Sequence, residues 1–186
     1  TGIGLAEDLG KGLIDRFRSL PMSRSAVLAG RTGSDSIRNF FVILLMIGVG
    51  YLIGFRFMGG FAKSVTAILL VLLFGYAFTW ISATIGLALK DVESVQAASF
   101  VWLFPLVFAS SAFVPTASMP DWLATFANFN PVTVTVNAVR LLVIGQDVPG
   151  LFDKSLQTYM LQSVAWSLAL LAIFIPLAIN RYRRAV

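Results

Sequence analysis

The sequence predicts an all-α polytopic membrane protein, and two observations lead to that prediction. First, hydrophobic residues make up 58% of the 186 positions and charged residues 12%, whereas a typical soluble domain has about 45–50% apolar and about 25% charged residues. Second, long uncharged apolar stretches recur along the chain. Because a backbone surrounded by lipid must satisfy its own hydrogen bonds, such stretches are expected to be helices.

Four membrane spans are predicted, at residues 40–55, 64–89, 94–114 and 155–180, and none contains Asp, Glu, Lys, Arg or His. The first is short for a bilayer core of about 30 Å, which needs about 20 helical residues. Flanking residues and a snorkelling Arg56 are expected to complete it. Ion-coupled carriers usually need ionisable groups at membrane depth. The uncharged spans therefore argue against an ion-coupled carrier and against an acid–base enzyme within the membrane.

Residue types that are absent restrict the chemistry further. The chain has no Cys and no His, which removes disulfides, Cys metal sites and the commonest general base. It has no G-x-x-x-x-G-K-[ST] phosphate-binding loop. We therefore expect no catalytic residue, no metal site and no cofactor in this chain, so that an ATPase would be another chain or domain. The net charge of +5 is assigned to cytoplasmic loops and membrane edges, not to nucleic acid.

The distribution of Lys and Arg predicts which side faces the cytoplasm. Ten of the 14 lie in residues 1–39, the loop 90–93 and the C-terminal tail, and cytoplasmic segments carry the excess of positive charge. Residues 1–39 and the C-terminus are therefore predicted to be cytoplasmic, and residues 115–145 extracellular. The opening TGIGLAED lacks the basic and apolar regions of a signal peptide, so we expect the sequence to begin inside a larger protein.

Residues 9–21 predict an amphipathic cytoplasmic helix. Apolar residues recur at helical spacing, charged residues occupy the other faces, and a proline ends the segment. The apolar residues are Leu9, Leu13, Phe17 and Leu20, and the proline is Pro21. The residues alone leave two interpretations open. The helix could dock in a groove of a partner protein, or it could lie on the membrane surface with its Arg side chains against anionic lipid.

The third predicted span is rich in aromatic residues. Phe100, Phe104 and Phe108 recur at helical spacing, and Ser110-Ser111 follows them. These side chains could line a pathway for a hydrophobic or amphipathic substrate. Alternatively, they could be ordinary packing and lipid-facing aromatics.

The outward stretch that follows predicts a short interfacial helix. Residues 118–121 fit the capping signature [ST]-x-x-[DE], with Pro120 in the first turn. Trp122, Phe126 and Phe129 would then share one face of the helix, which suits the membrane interface. Asn130-Pro131 would end it.

The chain then returns to apolar sequence. Residues 132–136 alternate Val with Thr and fit both strand and helix periods. We predict a helix, because an unpaired strand near lipid would leave backbone groups unsatisfied. Arg140 lies within this apolar sequence, where it could pair with helix-end carbonyls, reach the interface or meet substrate headgroups.

Two segments carry a family resemblance. The first comprises Pro105-Leu106, Phe113, Pro115, Met119-Pro120, Trp122-Leu123, Asn130-Pro131, Thr133 and Ala138-x-Arg140, and the second is GLIDRFRSLPMSR at residues 12–24. They resemble the signature and the coupling region of ABC-2 type transporter permeases, especially the daunorubicin-resistance-type drug exporters. The two matches cover most of the chain.

This resemblance implies a six-span permease in which the four spans are the third to the sixth. The segment 9–21 would be the coupling helix that docks on a nucleotide-binding subunit. The interface residues would be Leu13, Asp15, Arg16, Phe17, Arg18, Leu20 and Pro21. Two permease subunits, identical or related, would assemble with two ATPase subunits that bind ATP and Mg. The complex would lie in the bacterial cytoplasmic membrane, in contact with its lipids.

The resemblance also implies roles for the outer residues. The segments 119–129 and 132–144 would be extracellular re-entrant helices over the exit path. The gate residues would be Trp122, Phe126, Asn130, Pro131 and Arg140, and the path near the dimer axis would be lined by Phe100, Phe104, Phe108 and Ser111. The expected function is outward export of a drug, lipid or glycoconjugate. The alternative is a membrane scaffold or assembly subunit without a pathway of its own.

Overall fold

Every regular element is helical in the computed structural model, which describes residues 1–10, 24–89, 91–144 and 152–185. The helices are α1 (Gly2–Gly10), α2 (Arg24–Ile53), α3 (Gly60–Leu89), α4 (Val92–Phe108), a 3-10 turn (Thr116–Ser118), α5 (Asp121–Phe129), α6 (Pro131–Ile144) and α7 (Leu156–Ala185). The predicted all-α class is confirmed for the described part of the chain.

Among the described residues, three helices are long and apolar enough to cross a membrane: Leu28–Ile53, Gly60–Leu89 and Leu156–Arg183. The predicted span 40–55 is the C-terminal part of α2, which already begins at Arg24. Polar residues in its first half do not interrupt it, because the hydroxyls of Thr32, Ser34 and Ser36 each donate to the carbonyl four residues earlier. The charged residues of Leu28–Ile53 all lie in its first half, as far as Arg38, whereas those of the other two helices lie near the helix ends.

The predicted span 94–114 is helical only as far as Phe108, in a helix of 17 residues. The chain leaves the helix because side chains take over its last carbonyls. Ser110 Oγ donates to the Val107 carbonyl at 2.5 Å and accepts from the Ala112 N–H at 3.2 Å. A turn therefore occupies the end of the predicted span.

Helix α4 begins with a side-chain cap. Asp91 Oδ2 accepts a hydrogen bond from the Ser94 N–H at 2.9 Å, as expected of an Asp that precedes the first turn. This hydrogen bond is the main cause that lowers the pKa of the Asp91 carboxyl below its ordinary value. Only the ionised form accepts the bond fully, so ionisation and the start of the helix are linked.

Acidification is therefore expected to loosen the start of α4. Because the pKa of Asp91 is lower in the folded state, the stabilisation is present above its unfolded pKa and is lost as pH falls through the folded one. The protection of the Ser94 amide against hydrogen exchange should fall over this acidic range. In Asp91→Asn the same protection should vary little with pH, and an equal fall in both proteins would contradict the assignment.

The described residues form two compact units. One comprises the described residues within Thr1–Asn39, Gly75–Trp102 and Leu168–Val186. Its core is made by Leu5, Leu28, Trp80, Ala83, Leu87, Ala178 and Tyr182. Helix α1 lies against α3 so closely that a Cβ on Gly86 would come within 2.3 Å of the Gly2 carbonyl oxygen. Asp8 forms an ion pair with Arg31, which ties α1 to α2.

The other unit comprises the described residues within Phe40–Phe74 and Leu103–Ser167. Its core is made by Ala67, Leu70, Val134, Ala138, Leu141, Leu142 and Tyr159. Helix α6 supplies four of these residues, with α3 and α7 supplying the others. Residues 132–136, which were predicted to be helical because of their backbone hydrogen bonds, therefore belong to the helix that contributes most to this core.

Candidate functional site

Helix α6 is short and buried on several sides. It has 14 residues, or about 21 Å at 1.5 Å per residue, which is less than the bilayer core of about 30 Å. Its buried residues are Val132, Thr133, Val134, Thr135, Asn137, Ala138, Leu141 and Leu142. A buried helix of this length needs hydrogen-bond partners for the unpaired N–H and C=O groups at its ends and for its polar side chains. These partners define the candidate site.

The Asn130 side chain forms hydrogen bonds with backbone groups at the end of α4, in the turn after it and at the start of α6. Its Nδ2 donates to the carbonyls of Leu106 and Ala109 at 2.7 and 3.1 Å. Its Oδ1 accepts from the Val132 N–H at 2.9 Å, so Asn130 is the N-cap of α6 and Pro131 its first residue. Asn130 also ends α5. The residue is 2% exposed, so these hydrogen bonds are shielded from water.

Three further side chains of α6 hold the turn after α4. The Ser111 N–H donates to Thr133 Oγ1 at 3.0 Å, and Ser111 Oγ donates to Asn137 Oδ1 at 2.9 Å. One helical turn on, Arg140 Nη2 donates to the Ala112 carbonyl at 3.0 Å. Of the three interpretations of Arg140, the structure therefore shows pairing with a carbonyl. On the opposite side, Thr135 and the α7 residue Ser163 share a hydrogen bond of 2.7 Å.

Ser111 does not share a surface with the aromatic residues that were grouped with it. It is 2% exposed and its hydroxyl is hydrogen-bonded to Asn137. This is because α4 ends before Ser111, and the turn that follows directs its side chain toward α6. Sequence reasoning also missed Asn137. The available signal was the spacing of Thr133, Asn137 and Arg140, which places three polar residues on one face of an apolar helix.

The aromatic residues of α4 form an exposed stack. The ring centroids of Phe104 and Phe108 are 5.3 Å apart with an interplanar angle of 19°. Those of Phe108 and Phe113 are 5.3 Å apart with an interplanar angle of 18°. Their exposed fractions are 47%, 59% and 66%. Phe113, in the turn after α4, was not predicted to belong to this group. Phe100 lies on the same helix and is also exposed. A path-lining or dimer-axis role of these rings stays a prediction.

The start of α5 differs from its prediction. Its N-cap is Pro120 and makes no side-chain hydrogen bond, whereas Ser118 Oγ donates back to the Pro115 carbonyl at 2.8 Å. The capping signature was wrong because Ser118 closes the preceding 3-10 turn, and Met119 and Pro120 are extended. The helix therefore begins at Asp121.

The predicted face of α5 is present. Trp122, Phe126 and Phe129 are all exposed. Phe129 additionally meets Trp166 of α7 edge to face at 5.2 Å, a contact that the sequence did not predict. Their role at an extracellular gate stays a prediction.

The coupling residues named above, Leu13 to Pro21, lie outside the described residues. Helix α1, which precedes them, was not predicted. Within the described ranges, no group of three or more His, Cys, Asp and Glu side chains could hold a metal ion.

Comparisons with known proteins agree with the family resemblance. The family described as "ABC-2 type transporter" matches residues 1–144. The daunorubicin resistance ABC transporter permease protein DrrB1 of Streptomyces coeruleorubidus is 36% identical over 183 residues, which is 98% of this chain and 62% of that protein. The probable doxorubicin resistance ABC transporter permease protein DrrC of Mycobacterium tuberculosis is 29% identical over 186 residues, which is 100% of this chain and 64% of that protein.

A more distant relative is the putative transport permease ycf38 of Cyanophora paradoxa, 26% identical over 88% of this chain and 56% of that protein. No solved structure matches the chain. The chain spans less than two thirds of the length of each of these relatives. The family match and the three helices fit to cross a membrane confirm the resemblance and a multi-pass membrane protein. The chain therefore belongs to the ABC-2 type transporter family.

Proposed function

We propose that this chain is part of the permease subunit of an ATP-driven exporter. It moves a hydrophobic or amphipathic substrate outward, with ATP hydrolysed by a partner ATPase that also binds Mg. The segment 9–21 is the coupling helix for that partner. Residues 1–39 and the C-terminus face the cytoplasm, and the spans present are the third to the sixth of six.

The observation that carries this proposal is the anchoring of α6. A helix too short to span the bilayer is held by buried and partly buried polar contacts to the end of α4 and the turn after it, through Asn130, Thr133, Asn137 and Arg140. Such an element supports a re-entrant cap over an exit path better than it supports a simple span. The charge distribution favours the extracellular side for this cap.

The exposed aromatic stack supports the proposed substrate class. Phe104, Phe108 and Phe113 present stacked rings on the outside of the described chain. Aromatic rings bind flat apolar molecules by stacking and by burial of apolar area. Relatives are named for resistance to daunorubicin and doxorubicin, so daunorubicin is a suitable first probe. The same surface would lie near the axis of a permease dimer, formed with an identical or a related subunit.

Charge reversal in the coupling segment tests the proposal. In Arg16→Glu/Arg18→Glu, ATP-driven daunorubicin accumulation in inverted vesicles should fall at least about tenfold, because losing charge-assisted contacts to the ATPase costs about 1.5–3 kcal/mol each. The protein should still insert, and ATP hydrolysis should no longer depend on the permease. Transport equal to that of the unaltered protein would contradict the proposed coupling role.

The matched control is Arg181→Glu/Arg183→Glu, which reverses two exposed arginines near the end of α7 on the same proposed side. It should retain most of the transport. A pull-down of the full-length protein in mild detergent separates the scaffold alternative: an ATPase subunit should co-purify with a permease, and its absence would favour a non-transporting scaffold.

A further inference from the structure

The loop between α2 and α3 begins with a well-defined helix end. Gly54 has φ +103°, which an L side chain rarely adopts. Its N–H donates to the Tyr51 carbonyl at 3.2 Å, and the Phe55 N–H donates to the Gly50 carbonyl at 2.9 Å. These two bonds form a Schellman motif. The last carbonyls of α2 are therefore satisfied by the loop itself.

Arg56 fixes the loop further. Its Nη1 donates to the carbonyls of Tyr51 and Phe55 at 2.7 and 2.8 Å. Its guanidinium carbon lies 5.0 Å from the centre of the Tyr51 ring, within the range of a cation–π contact. The rings of Phe55 and Phe57 meet edge to face at 5.1 Å. The loop is thus attached to the end of α2 by main-chain, guanidinium and ring contacts.

Two adjacent amides of this loop hold the far end of α6. The N–H groups of Met58 and Gly59 both donate to the Val143 carbonyl, at 2.9 and 3.1 Å. Val143 lies in the last turn of α6, where carbonyls have no partner within the helix. A Cβ on Gly59 would come within 2.0 Å of the Leu142 carbonyl oxygen. Glycine is required at position 59 by this close approach of two backbones.

We propose that the loop 54–59 is a positioning clamp for α6, with Gly59 as its essential residue. Asn130 fixes the first residues of α6 and the clamp fixes its last turn, so any displacement of the end of α2 is passed to α6. In sequence, α2 directly follows the predicted coupling segment. The inference rests on the proposed function: the clamp connects the ATPase-driven part of the permease to the helix over the exit path.

The test is Gly59→Ala in the full-length permease co-expressed with its ATPase. The added methyl group must displace the Leu142 backbone, so the hydrogen exchange of the amides at positions 58 and 59 should accelerate at least about tenfold. Exchange at the Asn130 end of α6 should stay unchanged. ATP-driven daunorubicin transport should fall at least about tenfold while ATP hydrolysis continues. The matched control is Gly48→Ala on α2, where a Cβ meets no atom within 4 Å, and it should alter neither readout.

The outcomes separate the clamp from a general stabilising role and from the proposed function. Faster exchange at the clamp with normal transport would overturn the positioning role and leave the exporter intact. Loosening of both ends of α6 together would show general destabilisation and would also overturn it. If the unaltered complex transports nothing, the proposed function fails, and unchanged exchange at Met58 and Gly59 in the variant would still overturn the clamp.

A second variant serves if Gly59→Ala does not insert. Arg56→Met keeps an unbranched side chain but removes the Nη1 group that donates to both carbonyls. It should produce the same local rise in exchange and the same separation of transport from ATP hydrolysis, with a smaller amplitude. Full transport with unchanged exchange in Arg56→Met would contradict the proposal.

Discussion

Replacing Asn130 with Asp should destabilise the protein by about 2–6 kcal/mol, because two carbonyls lose the Asn130 amide as donor and each such loss costs about 1–3 kcal/mol. Asp retains the acceptor for the Val132 N–H, but it has no group to donate to Leu106 and Ala109. A carboxylate would also face two carbonyl oxygens at a position that is shielded from water. The thermal unfolding midpoint in detergent measures the effect.

The matched control is Asn128→Asp, which makes the same chemical change two positions earlier. The Asn128 side chain is partly exposed, and a surface substitution usually changes stability by no more than about 0.5 kcal/mol. Its unfolding midpoint should therefore stay close to that of the unaltered protein. Equal midpoints for the two variants would show that the Asn130 hydrogen bonds contribute little.

Replacing Gly86 with Leu should detach α1 from α3. Even the first atom of a side chain would lie 2.3 Å from the Gly2 carbonyl oxygen and 2.8 Å from its Cα, and both contacts are with backbone that has no rotamer to change. Displacement of α1 exposes Leu5, whose burial contributes about 1.5–3 kcal/mol. Thiol labelling at Ala6→Cys measures the displacement, since Ala6 is buried and these 186 residues contain no Cys.

Labelling of Ala6→Cys should accelerate at least about tenfold in the Gly86→Leu background, as expected for a loss of this size. Gly75→Leu is the matched control: the same substitution on the same helix, at a position where a Cβ meets no atom within 4 Å. Labelling at the rate of the parent protein in both backgrounds would contradict the close packing of α1 on α3. Faster labelling with Gly75→Leu alone would point to distortion of α3 instead.

Composition and backbone hydrogen bonding were sufficient to predict the fold class and the helical conformation of α6. Lipid offers no hydrogen bonds, so an apolar segment that alternates Val and Thr still becomes a helix. The Asn130-Pro131 pair placed the end of α5 correctly. These features depend on neighbouring residues and on the solvent, and both can be read along the chain.

The contacts that build the candidate site could not be read in this way. The acceptors of the Asn130 amide are 24 and 21 residues away in sequence, and no periodicity encodes that pairing. Ser118 was assigned to a helix cap because the local pattern fits one, but its hydroxyl is used by the turn before it. The clamp at Gly59 involves only main-chain groups of its partner, so no side-chain pattern could have indicated it.

The bonding of Asn130 also limits how this region can change in length. Its amide must reach the turn after α4 and the first turn of α6 at once, while its main chain ends α5. An inserted or deleted residue beside it would shift the amide by more than 3 Å along the chain, beyond the reach of a hydrogen bond. An epitope or fluorophore should therefore not be inserted beside Asn130. The exposed end of the 3-10 turn at Ser118 is a better attachment site.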